Sequence, residues 1–133
     1  MKPVMQTVTG SAGNCFSACL ASIFELTIEE VPNFFEVAGH EDSAWWGAVR
    51  DWLRPRGLGV IWLQLNDPAH LAEFEGWMIV SGKSCLGVYH ATVWNGGKMV
   101  HDPHPSQCGL IAPEGVDMLY PLDPAKCLML GEY

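Results

Sequence analysis

The stretch from Cys15 to Leu26 contains a single charged residue, Glu25, close to its end. Phe16, Leu20, Ile23 and Phe24 recur at helical spacing, and Ala18, Cys19 and Ala21 make the remaining faces apolar as well. A helix that is apolar on most sides has to be surrounded by the rest of the fold. This segment therefore predicts the central core helix, and everything else must pack around it.

What surrounds it changes period along the chain. Val4 to Thr9 reads as a short strand or extended arm, and Ser11-Ala12-Gly13-Asn14 as a turn that supplies Asn14 as helix N-cap. Thr27-Ile28-Glu29-Glu30 is a capping box before a short turn that Pro32 ends. A second helix starts at Asp42 or Ser43 and runs to about Leu53, with Trp45, Trp46, Val49, Trp52 and Leu53 at helical spacing. Pro55 and Gly57 close it. Beyond this the runs are β-like: Gly59 to Leu65, Trp77 to Val80, Gly87 to Trp94 and Lys98 to Asp102, with Pro68 to Phe74 as a short amphipathic helix. Asn95-Gly96-Gly97 is a strong hairpin turn. Asp117 to Tyr120 and Cys127 to Leu130 supply edge strands. Helices first and strands afterwards give one α+β domain over residues 1–133, a central helix on a mostly antiparallel sheet.

Composition narrows the function classes. Hydrophobic residues are 49 % and charged residues 17 %, a globular balance. The net charge of −8, with no Lys or Arg run, argues against nucleic acid or an anionic membrane as partner and weakly favours a basic substrate. No segment reaches the ~18–20 apolar residues of a membrane span, and Gln6 to Gly13 is too polar for a signal peptide. The expected compartment is cytoplasmic. There the five Cys are expected to be free thiols, since their number is odd and their spacing suggests no disulfide framework.

One of those thiols has a context. Cys15 opens the core helix directly after a glycine-rich loop, where free backbone N–H groups and the helix dipole favour an anion. A lowered thiol pKa is the expectation, helped by a histidinium partner. His90 lies on a β run and Asp102 ends the following one, in Val100-His101-Asp102-Pro103. Thiol, imidazole and carboxylate are the parts of a cysteine nucleophile, its base and its orienter. Cys19, one turn deeper, reads as core, and Cys85, Cys108 and Cys127 have no such context. His101 and His104 rank below His90. For the oxyanion, the Cys15 backbone N–H is one donor and the Gln6 amide the candidate second, with Asn14 competing. Trp45, Trp46 and the loop from His104 to Cys108 are candidates to border a substrate groove.

The hairpin sharpens this. A three-residue loop of Asn95, Gly96 and Gly97 sets Trp94 opposite Lys98 and His90 opposite Asp102, on one face of the sheet. A two-residue loop instead sends the two side chains to opposite faces, because a one-residue slip reverses every side chain. The triad thus predicts the longer loop, with Gly97 in its left-handed position.

Gln6, Cys15, His90 and Asp102-Pro103 resemble the pattern of the papain-like cysteine peptidases. Within that superfamily the chain is most similar to compact bacterial domains of the bacteriocin (double-glycine) leader-peptidase kind, although Gly13-Asn14-Cys15-Phe16 replaces their Asp-Cys-Gly. Gly-Asn-Cys-Phe with Leu-Ala-Ser-Ile and Val-Pro-Asn-Phe also looks like small bacterial and phage papain-like proteins. The resemblance implies Cys15 as nucleophile, His90 as general base and acid, Asp102 as orienter and Gln6 as oxyanion donor. It implies a peptide or other amide substrate and no cofactor, with hydrolysis or transfer to an amine or thiol as the outcome. Two other classes stay open. Cys15, Cys19, His101 and His104 could hold zinc, and the six Trp could form a non-catalytic peptide- or protein-recognition surface.

Overall fold

The computed structural model of the protein describes residues 1–128. Helix α1, Cys15–Phe24, packs on a five-stranded sheet and is flanked by α2, Phe34–Ala38, and α3, Asp42–Leu53. The strands are β1, Leu58–Gln64; β2, Trp77–Ser84; β3, Tyr89–Asn95; β4, Lys98–His101; and β5, Leu110–Pro121. Their order is β1-β5-β2-β3-β4, and every pairing is antiparallel. The fold is α+β, as the change of period indicates.

The core helix is as enclosed as its composition requires. Ala18, Cys19, Leu20 and Ala21 have no exposed surface, and burying a residue such as Leu20 contributes about 1.5–3 kcal/mol. Its polar residues are satisfied internally: Ser17 Oγ donates to the Pro32 carbonyl at 2.6 Å, and Ser22 Oγ to the Ala18 carbonyl at 2.8 Å. The helix stops at Phe24, two residues before the expected Leu26, because Glu25 turns left-handed and its N–H closes back on Ala21 and Ser22.

Strand alternation separates two cores. Ile79, Ala91 and Val93 join α1, whereas Met78, Val80 and Val116 form a second cluster with Leu71 from the six-residue 3-10 helix Pro68–Glu73. Residues 4–9 form an extended arm rather than a strand. This arm laces α1 to the far end of β4: Val4 N–H donates to Ser22 Oγ at 2.9 Å, His101 Nε2 to the Val4 carbonyl at 2.8 Å, and Gln6 N–H to the Pro103 carbonyl at 3.0 Å.

Several local expectations are corrected. Thr27 precedes a 3-10 turn, Ile28–Glu30, without any side-chain capping bond. The short α2 is an addition, capped by Asn33, whose side-chain Oδ1 accepts from Phe35 N–H. The cap of α3 is Glu41, which accepts from Ser43 and Ala44 N–H. Residues 117–120 belong to β5, a twelve-residue strand between β1 and β2 rather than at an edge. Cys127 and Leu128 lie in a helical turn, Ala125–Leu128, instead of a strand; residues 129 and 130 fall outside the described residues. Among the described residues no helix is long and apolar enough to cross a membrane.

Candidate active site

Cys15 is the first residue of α1 and is half-buried. Tight packing sets the loop before it: a Cβ on Gly13 would come within 3.0 Å of the Gly10 and Val8 carbonyls. The helix start sits against β3 where β4 has already ended, so the β3 edge is open there. Burial pushes the Cys15 thiol up, and the N–H groups of Ala91, Phe16 and Cys15 only partly offset it. The expected depression of this thiol is therefore corrected: desolvation outweighs the helix start.

His90 and Asp102 meet, although not by the expected route. The turn holds two residues, Gly96 and Gly97, both at positive φ (63° and 77°), and Asn95 pairs with Lys98. A regular ladder from that turn would part the two side chains. A β-bulge intervenes: Trp94 pairs with Met99 but Val93 with His101, so Val100 is extra. One extra residue restores the parity and puts Asp102 diagonally across from His90 on the same face. His90 Nε2 donates to Asp102 Oδ1 at 2.6 Å, with the residues 5 % and 1 % exposed. A donor at Nε2 leaves Nδ1 with the lone pair, the tautomer a base requires.

Asp102 is held from every side. Oδ1 also accepts from His104 N–H at 2.8 Å, Oδ2 accepts from Gly109 N–H at 2.7 Å, and the Gln107 amide donates to the Asp102 carbonyl. Burial alone would raise this carboxyl, but the bonds from His90, His104 and Gly109 outweigh it and hold it below the ordinary range. The His104 ring lies edge-on to His90 at 5.9 Å between centroids. Cys85 and Cys108 form a disulfide with Cα atoms 6.1 Å apart, which corrects the expectation of five free thiols. It joins the β2–β3 turn to the residue preceding Gly109. Cys15, Cys19 and Cys127 are free.

Cys15 and His90 line one open groove of about 680 Å³, together with Trp45 and Trp46; the loop from His104 to Cys108, also expected at its border, does not line it. Phe16 and Trp45 pack edge-on at 4.9 Å, as do Trp45 and Trp46 at 4.8 Å, so one indole pair both walls the groove and caps the core helix. No direct hydrogen bond joins Cys15 Sγ to His90 among the described residues. Such bonds are often long before substrate arrives.

Among the groove residues that escaped the sequence reading are His40, Trp62, Ser81, Tyr89 and Asp117. Asp117 is 2 % exposed, and burial raises its carboxyl to about 7. Tyr89 is raised by burial and by the neighbouring Glu114 and Asp117, with the Ser81 hydroxyl opposing. The one available signal was a lone acid inside an apolar β run, Val116-Asp117-Met118-Leu119.

Gln6 and Asn14 do not line the groove. Gln6 is buried, with Nε2 donating to the Val8 carbonyl at 2.9 Å. Asn14 occupies the N-cap position without capping; its Oδ1 accepts from Thr7 and Val8 N–H, and Nδ2 donates to Thr7 Oγ1. Its side chain shapes the arm. Cys19 is buried core, where burial raises its thiol strongly. Cys15, Cys19, His101 and His104 do not converge: no group of three or more His, Cys, Asp or Glu among the described residues is placed to share an ion. Comparison with protein families, curated proteins and solved structures gives no match, so the site is read from its own geometry.

Proposed function

We propose that the protein is a cysteine-dependent hydrolase of amide bonds (a thiol peptidase, isopeptidase or amidase) similar to the papain-like enzymes. One observation carries the reading: His90, held by Asp102 in a buried 2.6 Å imidazole–carboxylate pair, lines the same groove as a cysteine at a helix start. Asp102 stays ionised and fixes the His90 tautomer, so Nδ1 takes the thiol proton as Cys15 sulfur bonds to the carbonyl carbon. The Cys15 N–H faces the oxyanion. His90 then returns its proton to the leaving amine as the C–N bond breaks. Water, with His90 again as base, releases the acid and regenerates the thiol; an amine or thiol in place of water gives the transferase variant.

Peptides or proteins are the proposed substrates, without nucleic acid or membrane as partner. The cytoplasm is the proposed compartment, and there Cys85 and Cys108 are expected as a dithiol that closes on oxidation. A second reading, a non-catalytic binding module, is favoured by the raised Cys15 thiol and the missing sulfur–imidazole bond.

Labelling with a peptidyl electrophile separates the two. On the enzyme reading, Cys15 is labelled and Cys15→Ala is not. Removing the base in His90→Ala slows labelling by about 10²–10⁴-fold. Labelling equal in parent and His90→Ala, or none at Cys15, would favour the binding module.

A further inference from the structure

Three buried side-chain polar atoms among the described residues lack a hydrogen-bond partner: Gln6 Oε1, Trp45 Nε1 and Asp117 Oδ1. Two of them belong to residues that line the Cys15 groove. Asp117 is the more demanding case. It sits on the interior strand β5, paired with Trp62 on β1 and Ile79 on β2, and is 2 % exposed. Burying a carboxylate without a partner costs several kcal/mol, and no Lys or Arg lines the groove to compensate it. The surroundings look built for contact: Trp62 lies so close over Gly115 that a Cβ there would come within 2.5 Å of its Nε1. Trp45, Trp46, Trp62 and Tyr89 supply apolar walls, and Asp42 adds a second negative charge at the groove. Aromatic walls with acidic groups suit an alkyl stem ending in a cation.

We propose that Asp117 is the specificity-determining residue of this groove, receiving the ammonium of a lysine-like side chain next to the scissile amide. This rests on the hydrolase reading above and names its substrate class. An acidic or purely apolar side chain would leave the carboxyl unpaired, so discrimination comes as much from rejecting these as from binding the cation. The carboxyl is raised to about 7 by burial without the ligand; an arriving ammonium favours its ionised form and draws it down. The unpaired Trp45 N–H offers a donor to a substrate carbonyl in the same groove.

The test uses three peptidyl chloromethyl ketones identical except for the residue before the electrophile: lysine, norleucine or glutamate. Second-order labelling of Cys15 is followed by intact mass. The lysyl probe is expected to exceed the norleucyl probe by about ten- to hundredfold, the worth of one hydrogen bond between charged groups, with glutamyl slowest. In Asp117→Asn the lysyl-to-norleucyl ratio should collapse to within about threefold. A parent ratio near unity overturns the inference even if the variant fails to fold, and so does a ratio that persists in a folded Asp117→Asn. Equal labelling by lysyl and norleucyl probes leaves the hydrolase reading standing and removes this inference alone. Labelling by none of the three removes both.

Discussion

Asp102→Asn tests the most constrained part of the site. Oδ1 accepts two bonds, from His90 Nε2 at 2.6 Å and His104 N–H at 2.8 Å, while Oδ2 accepts one from Gly109 N–H at 2.7 Å. An amide has one oxygen. If that oxygen keeps the two bonds on the Oδ1 side, its NH2 faces Gly109 N–H and leaves that buried donor orphaned, which costs about 1–3 kcal/mol. The two retained bonds lose their charge assistance, about 1 kcal/mol each, since such bonds are roughly twice as strong as neutral ones. The sum is about 3–5 kcal/mol. With a urea slope of about 2 kcal/mol/M, the midpoint should fall by about 2 M. Tryptophan fluorescence at pH 7 reads this directly. The carboxyl is held below its ordinary 3.8, so its stabilisation is present above that pH and lost as pH falls through the folded value. The gap between parent and variant should therefore hold from neutral pH down to mild acid and close in strong acid. A midpoint shift under about 0.5 M at this slope would refute the reasoning, as would a gap that does not close in acid.

Cys15 should react with iodoacetamide along a pH curve whose midpoint lies above that of a free cysteine, about 8.5, because burial raises the thiol; a midpoint below 7 would contradict it. Asp117 runs opposite to Asp102: its folded value of about 7 exceeds its ordinary 3.8, so the fold loses stability as pH rises between the two. Asp117→Asn should consequently be the more stable protein at pH 8, by on the order of 4 kcal/mol, and show no such gain at pH 4, in paired urea melts. Reducing the Cys85–Cys108 bridge, with its sequence separation of 23, should cost about 3 kcal/mol. Urea melts with and without dithiothreitol measure it, and identical midpoints would mean that the bridge does not form.

Legibility divided along physical lines. Helix α1 was readable because apolarity on nearly every side leaves only one place for it, and α3 because its aromatic spacing is periodic. The Gly96-Gly97 turn was readable from its residues, yet the count of residues between turn and Asp102 was not. Whether a surplus residue enters the loop or a bulge depends on packing against neighbouring elements, which no local pattern encodes. The two errors about loop length and ladder regularity cancel, so the pairing of His90 with Asp102 was anticipated for a partly wrong reason. Helix α2 was missed because a five-residue helix shows little more than one turn of periodicity. Cys85 and Cys108 approach only through the long-range pairing of β2 with β5, and Asp117 reaches the groove by the same pairing. Asn14 was assigned by its position before a helix, where tertiary contacts to Thr7 and Val8 claimed its amide instead.

The amino-terminal arm ties two groups that the chain separates widely. Through Ser22 it holds the helix that begins at Cys15, and through His101 and Pro103 it holds the strand end that presents the Asp102 carboxylate. A proteolytic nick near Met5, or a bulky purification handle tugging on Met1, therefore acts as a wedge between sulfur and imidazole. On the proposed hydrolase reading, turnover should suffer from such a change well before global melting does.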